Sequence, residues 1–166
     1  DDLFGGRIEK GRLLPNWRER LECNKCKMNN RQRLMAGLVR QCFSDAPRAK
    51  SYFMEQVTPI YQWASQEFAY FDLIGSEYLG FEYESGQIID GIRHEDVENL
   101  SFKESSLDLI ISNDVFEHVP NPAVAFSSCA QALKPDGLML ATFPFHHDKL
   151  VSIQRAELND GIIENL

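Results

Sequence analysis

An apolar run in the second half of this chain constrains its fold most strongly. Residues 107–112 read Leu-Asp-Leu-Ile-Ile-Ser, which is typical of a strand covered on both faces in a parallel sheet. The turn signals Pro120 and Asn121-Pro122 follow, and a helical pattern then runs over residues 123–133. A second apolar run occupies residues 138–143. The order strand, helix, strand predicts a parallel pair with a right-handed crossover.

Two polar residues, Asn113 and Asp114, directly follow the first of these strands. In open α/β sheets, ligands bind outside the carboxyl ends of the strands. We therefore predict that both residues border a binding site, although an Asn-Asp pair is also typical of an ordinary turn. The helix should end at Lys134-Pro135-Asp136-Gly137, because proline and glycine interrupt helical structure.

The stretch from Ile92 to Pro144 resembles the class I S-adenosylmethionine-dependent methyltransferases. The second half of that family commonly reads acid-small-x-x-Leu-Pro-Phe, then Phe-Asp and a strand, then Leu-Glu-His-Val, then Leu-Lys-Pro-Gly-Gly. The corresponding segments here, in the same order, are Asp96–Phe102, Leu107-Asp108, Phe116–Val119 and Leu133–Gly137. The resemblance implies an α/β, three-layer Rossmann-like methyltransferase fold with a mostly parallel sheet that is incomplete at the C-terminus. It also implies S-adenosylmethionine as the cofactor.

The resemblance assigns four consecutive cofactor-binding positions at the end of a second strand candidate, Tyr70–Ser76. Gly75 and Ser76 would line the site. The Glu77 carboxylate would accept hydrogen bonds from both ribose hydroxyls, and Tyr78 would pack against adenine. Glu77 could instead be a solvated strand end.

Further along, the resemblance places Asp96 and Val97 at the adenine. Asp96 would accept a hydrogen bond from the exocyclic amine, and the Val97 backbone N–H would meet a ring nitrogen. Asn113 and Asp114 would border the methionine moiety. Asp96 could equally cap a helical turn over Val97–Leu100, since Asp is a favourable N-cap residue.

The upstream half departs from the family, because the chain has no G-x-G-x-G loop. The best positional match is Ser51–Pro59, where Glu55 would take the acidic place in the first strand and bind cofactor. Thr58 could then cap the next helix, and Pro59 would suit its first position. After Tyr78, residues 80–86 look like a loop or short hairpin, followed by a strand candidate at residues 88–93.

Methyl transfer from a sulfonium needs positioning more than acid-base chemistry, because the leaving group departs as a neutral thioether. His118 is the candidate catalytic base close to the cofactor motifs. It could instead serve packing and hydrogen bonding. His146-His147-Asp148 also follows a strand candidate, so either substrate contact or a polar loop is expected there.

Charge divides the chain near Lys50. Residues 1–50 hold twelve Lys or Arg and six Asp or Glu, net +6, whereas residues 51–166 hold five and nineteen, net −14. We predict a small basic N-terminal appendage over 1–50 and an S-adenosylmethionine-binding methyltransferase-like domain over 51–166. The basic residues, Arg31 among them, could recognise phosphate or RNA, or could line a solvated helix. A helix over 30–43 should pack on the sheet through Leu34, Met35, Leu38, Val39 and Phe43.

Cys23-x-x-Cys26 has the spacing of half a zinc site, but structural zinc needs four ligands, so no metal is expected. Either an upstream half was lost, or these are ordinary thiols. No apolar run approaches the roughly 20 residues of a membrane helix, and the start of the chain is unlike a signal peptide. A cytoplasmic location with reduced cysteines is the default expectation.

The favoured function is S-adenosylmethionine-dependent methyl transfer, with a small-molecule or sugar-type acceptor preferred because an acidic main domain repels nucleic acid. One alternative is a non-catalytic methyltransferase-like binding or scaffold protein, and another is a zinc-stabilised nucleic-acid-binding module. Residues 150–166 suffice only for a helix or loop. A homodimer contact or a missing segment would then cover the sheet edge.

Overall fold

The structure is a computed structural model, and it describes residues 7–9, 11–14, 16, 21–43, 48–68, 72–144, 150, 151, 154, 156–159 and 162–165. The α-helices within these residues are α1 (Asn30–Phe43), α2 (Pro59–Glu67) and α3 (Pro122–Ala132). The strands are β1 (Arg7–Glu9), β2 (Arg12–Leu14), β3 (Lys50–Phe53), β4 (Asp72–Gly75), β5 (Ile88–Ile89), β6 (Ile92–Arg93), β7 (Leu107–Asn113), β8 (Leu133–Thr142), β9 (Ala156–Asn159) and β10 (Ile162–Asn165).

A parallel sheet with the order β4-β3-β7-β8 forms the centre of the fold. An isolated parallel bridge between Glu77 and His94 adds a fifth position beyond β4. The carboxyl ends of all four strands therefore lie along one edge of the sheet. The predicted Rossmann-like fold class is confirmed by this topology.

Helices cover both faces of the sheet, because alternate residues of each strand point to opposite sides. On one face, Phe53 and Ile111 pack in a core with residues of α1 and α2. On the other face, Tyr52 and Ile110 pack in a second core with residues of α3. The resulting three layers fix which loops reach the carboxyl edge.

The βαβ unit predicted from residues 107–143 is confirmed. β7 carries the apolar run, and α3 begins at Pro122 with Asn121 as its N-cap. The expected turn at residues 134–137 lies inside β8, where the register slips between the pairs Leu107–Leu133 and Leu109–Leu138. Proline and glycine interrupt pairing here without ending the strand.

Two expectations about strands and loops are wrong. The strand candidate at residues 88–93 is a short antiparallel hairpin of β5 and β6, because Asp90 and Gly91 both adopt positive φ, 50° and 83°, as a type I′ turn requires. Residues 150–166, expected to form a helix or loop, contain the antiparallel pair β9 and β10. Of the strand candidate at residues 70–76, Tyr70 and Phe71 lie outside the described residues, and β4 occupies 72–75.

Helix α1 matches its predicted span, and its start is fixed by a capping box that the sequence analysis missed. Asn29 Oδ1 accepts from the Gln32 backbone N–H at 2.9 Å, and Gln32 Oε1 accepts from the Asn29 N–H at 3.2 Å. Met35 and Val39 are buried against the sheet as expected.

Three further residues were expected on the packing face of α1. Leu34 and Leu38 are exposed, so the prediction was wrong for those two. The face of α1 that packs on the sheet consists of Met35, Ala36 and Val39, so it is shifted from the face that the apolar pattern indicated. The side chain of Phe43 lies outside the described residues.

Candidate functional site

Polar residues from four strands meet at the carboxyl edge of the sheet. Glu55 lies two residues beyond the end of β3, and Glu77 lies two beyond the end of β4. Asn113 ends β7, and Thr142 ends β8. The strand ends therefore bring together side chains that are far apart in the chain.

Glu55 is buried and accepts a hydrogen bond from Asn113 Nδ2. Burial raises the pKa of the Glu55 carboxyl from 4.5 to about 7, with a further increase from the Glu77 charge and an opposing decrease from the Asn113 amide. Glu55 was expected inside the first strand. Instead β3 ends at Phe53, and Glu55 belongs to the connection that follows.

Glu77 holds that connection in place. Its Oε1 accepts hydrogen bonds from the backbone N–H groups of Gln56 at 2.7 Å and Val57 at 2.9 Å. Glu77 is therefore more than a solvated strand end. A carboxylate from the neighbouring strand orders the segment where the family usually has glycines.

Gly75 and Ser76, expected to line the site, both face the protein interior rather than solvent. A Cβ atom on Gly75 would lie 2.6 Å from the Tyr61 ring, so this glycine permits close packing between β4 and α2. Ser76 is buried, and its Oγ lies 2.7 Å from the Tyr52 hydroxyl. Both residues therefore support the strand, and a cofactor contact for them remains a prediction.

The segment after Glu77 is organised around a buried histidine. His94 Nδ1 accepts a hydrogen bond from the Leu79 backbone N–H at 3.0 Å, and the rings of Tyr78 and Tyr83 lie 5.4 and 5.9 Å from it. Tyr78 is 62% exposed, so much of its side chain faces solvent. His94 directly follows the strand candidate at residues 88–93, and no role was predicted for it from the sequence.

Asp96 caps the 3₁₀ turn Val97–Asn99, because its Oδ1 accepts from the Glu98 backbone N–H at 2.9 Å. This is the capping role that the sequence left open. The described bond uses one oxygen of Asp96, and Val97 is buried in the core beneath. Binding of adenine by either residue remains a prediction.

Asp114 adopts a left-handed backbone conformation, with φ of 55°. Its carboxylate forms an ion pair with Arg31 and accepts from Thr142 Oγ1 at 2.9 Å. The Asp114 N–H also donates to the Thr142 carbonyl at 3.1 Å. Arg31 and Thr142 were not assigned to the site. The only sequence signal for Thr142 was its position at a strand end.

His118, the predicted base, lies at the end of the short turn Phe116–His118 and is 79% exposed. Its Nε2 lies 3.8 Å from Glu117 Oε1. The imidazole is therefore on the surface, and its catalytic role remains a prediction. The segment His146-His147-Asp148 lies outside the described residues.

Cys23 and Cys26 lie in a tight turn closed by the hydrogen bonds Cys23 N to Met28 O and Lys27 N to Cys23 O, each 2.9 Å. Hydrogen bonds from the backbone of Cys26 and Lys25, and from the Cys26 thiol, lower the pKa of the Cys23 thiol from 9.0 to about 7. Within the described residues, no group of three or more His, Cys, Asp or Glu could hold a metal ion. The pair therefore supplies two ligands at most.

The amino edge of the sheet carries a different set of contacts. Asp108, part of the quoted motifs, accepts from the Lys50 backbone N–H at 2.8 Å and from Lys134 Nζ at 2.7 Å. A cavity of about 480 Å³ lies beside it, lined also by Gly137 and Leu138. These contacts tie β3, β7 and β8 together at the edge remote from Glu77.

Helix α1, at 14 residues, is too short to cross a bilayer, and no other helix in the described part of the chain could do so.

Known proteins share this architecture. A family model described as a methyltransferase domain matches residues 65–141. Among solved structures, a candidate sarcosine dimethylglycine methyltransferase from Galdieria sulphuraria is similar, with a TM-score of 0.53 and 15% identity over 74% of this chain and 52% of that chain. The chain thus spans about half the length of that protein.

Two further structures are similar at lower scores. One is trans-methyltransferase CalH in its complex with SAH, with TM-score 0.47 and 12% identity over 64% of this chain and 35% of that chain. The other is the complex between the Haloferax volcanii Trm112 methyltransferase activator and a candidate methyltransferase, with TM-score 0.42 and 16% identity over 67% and 55%. No protein with a curated description matches the chain significantly.

The parallel sheet, its strand order and the helices on both faces define a Rossmann-like methyltransferase fold. The methyltransferase-domain match over residues 65–141 and the shared fold both agree with the resemblance to class I methyltransferases. The resemblance drawn from residues 92–144 is therefore confirmed.

Proposed function

We propose that the chain binds S-adenosylmethionine at the carboxyl edge of its sheet and transfers the methyl group to a small-molecule or sugar-type acceptor. The observation that carries this proposal is that Glu77, Asp96 and Asn113 all follow or end strand positions at the same carboxyl edge: Glu77 after β4, Asp96 after the bridge residue His94, and Asn113 at the end of β7. The methyltransferase-domain match over residues 65–141 supports the same assignment.

The donor and acceptor groups at this edge suit the parts of the cofactor. Glu77 uses Oε1 for the connection after β3, which leaves Oε2 as the oxygen to accept from ribose hydroxyls. Tyr78 offers an exposed ring for adenine, and Asp96 lies one hydrogen-bonded turn away. Bound there, the cofactor would supply an electrophilic methyl group on a sulfonium.

The chain's own contribution to the reaction is mainly positioning. The residues at the strand ends are held by buried hydrogen bonds, so the site is largely formed before a ligand enters. His118 is needed only where the nucleophile must lose a proton, and its exposure suits contact with a substrate that approaches from solvent. The net charge of −14 over residues 51–166 favours an acceptor that is not a nucleic acid.

Calorimetric titration with S-adenosylhomocysteine tests the binding step. We expect micromolar affinity, about −8 kcal/mol, and a loss of at least about tenfold in Glu77→Gln, which keeps an oxygen for the loop N–H groups but removes the charge. Asp96→Asn, which keeps the cap, should also weaken binding. Asp72→Asn, at the exposed amino end of the same strand, is the matched control and should bind normally.

The connection after β3 favours one alternative, a scaffold protein that does not bind the cofactor. Side chains of Glu55 and Val57 occupy a segment that is glycine-rich in the family, and two of its N–H groups already donate to Glu77. No binding of S-adenosylhomocysteine by the folded wild-type chain would favour this alternative.

The cytoplasmic location remains a prediction. The homodimer contact or missing segment expected to cover the sheet edge at β8 also remains one.

A further inference from the structure

We propose that Arg31 binds the carboxylate of the cofactor's amino-acid end and so replaces the missing glycine-rich loop. This inference rests on the function proposed above and names the residue that anchors one end of the ligand. It assigns a binding role to the basic N-terminal segment, which the sequence analysis linked only to phosphate or RNA.

The orientation of α1 brings Arg31 to the site. Arg31 stands in the first turn of α1 and forms an ion pair with Asp114, just beyond the carboxyl end of β7. At the other end of the helix, Arg40 pairs with Glu67, the last residue of α2. Helix α1 therefore runs antiparallel to the strands, with its N-terminus at the carboxyl edge.

The usual donors for a ligand carboxylate are engaged elsewhere. In the family, glycines let backbone N–H groups after the first strand approach the cofactor closely. Here the N–H groups of Gln56 and Val57 both donate to Glu77 Oε1, and the Glu55 side chain is buried beside them. A different donor must meet an incoming carboxylate.

The acidic character of this edge means that a donor for a ligand carboxylate should carry a positive charge. Glu77 and Asp114 lie at this edge, and Glu55, with a pKa of about 7, adds a partial negative charge near neutral pH, so the edge would repel a further carboxylate. Arg31 brings a positive charge whose side chain is only 19% exposed, so solvent screens it weakly. A guanidinium has five N–H donors in a planar fork, so it can pair with Asp114 and with a second carboxylate at once.

The position of Arg31 is fixed from both sides. The capping box of Asn29 and Gln32 sets the first turn of α1. Thr142 donates to Asp114 Oδ1, which orients the carboxylate that pairs with Arg31. Asp114 keeps a left-handed conformation that disfavours most residues, and its two hydrogen bonds with Thr142 stabilise it there. The guanidinium is therefore preorganised for a ligand.

Comparison of S-adenosylmethionine with its decarboxylated analogue tests this assignment, because the two ligands differ only in the carboxylate. Wild-type protein should bind the intact cofactor about tenfold to hundredfold more tightly, as expected for a charge-assisted contact. Arg31→Gln should remove most of that ratio and leave the affinity for the decarboxylated analogue within about twofold. Arg31→Lys should recover part of the ratio, since it keeps the charge without the fork.

Two further variants separate ligand binding from structure. Arg31→Gln with Asp114→Asn also removes the acid that pairs with Arg31, and the ratio should stay low because the guanidinium is still absent. Arg40→Gln, at the far end of the same helix, should keep the wild-type ratio. Thermal unfolding of each variant checks that it is folded.

Equal losses for both ligands in Arg31→Gln would overturn the assignment and leave Arg31 as a structural residue. An unchanged ratio would overturn it as well, while binding by the wild-type chain would still uphold the proposed function. If the folded wild-type chain binds neither ligand, both proposals are wrong.

Discussion

Three features of Glu55 act on its ionisation: the side chain is buried, it lies near the Glu77 charge, and Asn113 donates a hydrogen bond to it. Burial and the neighbouring charge favour the neutral form, and the amide favours the ionised form. Because its pKa is about 7, the Glu55 carboxyl changes charge near neutral pH.

The raised pKa of Glu55 makes the stability of the protein depend on pH. Between pH 4.5 and 7 the folded state keeps a proton that the unfolded state releases, so the free energy of unfolding falls as pH rises. The total loss should reach about 3 kcal/mol by pH 8. Glu55→Gln, which cannot ionise, should lose this part of the dependence.

Urea unfolding of wild-type protein and Glu55→Gln at pH 5, 6, 7 and 8 measures the effect. The exposed Asp72→Asn is the control and should follow the wild-type curve. Parallel curves for wild type and Glu55→Gln would contradict the account of Glu55.

At this scale the sequence predicted which acids lie near the strand ends, but not their local partners. Glu77 was expected to bind ribose or to be a solvated strand end, and its hydrogen bonds to the connection after β3 were not predicted. Arg31 was read as one of several basic residues. Its pairing with Asp114 spans 83 positions of the chain, and no local pattern carries such a contact.

The close contact between β4 and α2 depends on Gly75. A methyl group at this position would meet the Tyr61 ring at 2.6 Å, so Gly75→Ala should reduce stability by about 1–3 kcal/mol. In a Tyr61→Ala background the same change should cost less than in the wild type, because the ring is gone and only the Gln56 Cβ, 3.1 Å away, remains as a close contact. Chemical denaturation of the four proteins gives the coupling.

The same variant separates packing from cofactor contact. Folded Gly75→Ala should bind S-adenosylhomocysteine as the wild type does, since its missing Cβ faces Tyr61. Weaker binding with unchanged stability would contradict this view and would return Gly75 to the ligand site.

Elements with long-range periodic patterns were predicted well, and elements defined by turns were not. The apolar run of β7 and the helical spacing of α1 both indicated the observed spans. The hairpin of β5 and β6 was missed because the Asp90-Gly91 signal for a type I′ turn was read as strand interior. Residues 160–161 carry the same Asp-Gly pair between β9 and β10.

At the scale of the whole molecule, the division of the chain near Lys50 followed charge, whereas packing crosses it. Met35 and Val39 of α1 share one core with Phe53 and Ile111 of the sheet. Charge patterning reports on the solvated surface, and it carries no information on which helix face is buried. The division into an appendage over residues 1–50 and a methyltransferase-like domain over residues 51–166 remains a prediction.

A pair of neighbouring substitutions tests this packing. Met35→Ala should destabilise the protein by about 2–5 kcal/mol, because Met35 is buried on the sheet. Leu34→Ala, one position earlier and 64% exposed, should change stability by less than about 0.5 kcal/mol.

Far-UV circular dichroism and tryptophan fluorescence should report the same shifted midpoint for Met35→Ala, since α1 and the sheet share a core. Two separated transitions, with only one of them shifted, would show instead that residues 1–50 fold independently.

The central claim is that the carboxyl edge of the sheet is the cofactor site, and a crystal structure of the protein saturated with S-adenosylhomocysteine tests it most directly. The account predicts the ribose at Glu77, the adenine near Tyr78 and Asp96, and the amino-acid end near Asn113 and Arg31. Ligand density in the amino-edge cavity beside Asp108, or no density in a crystal of folded protein at saturating ligand, would contradict it.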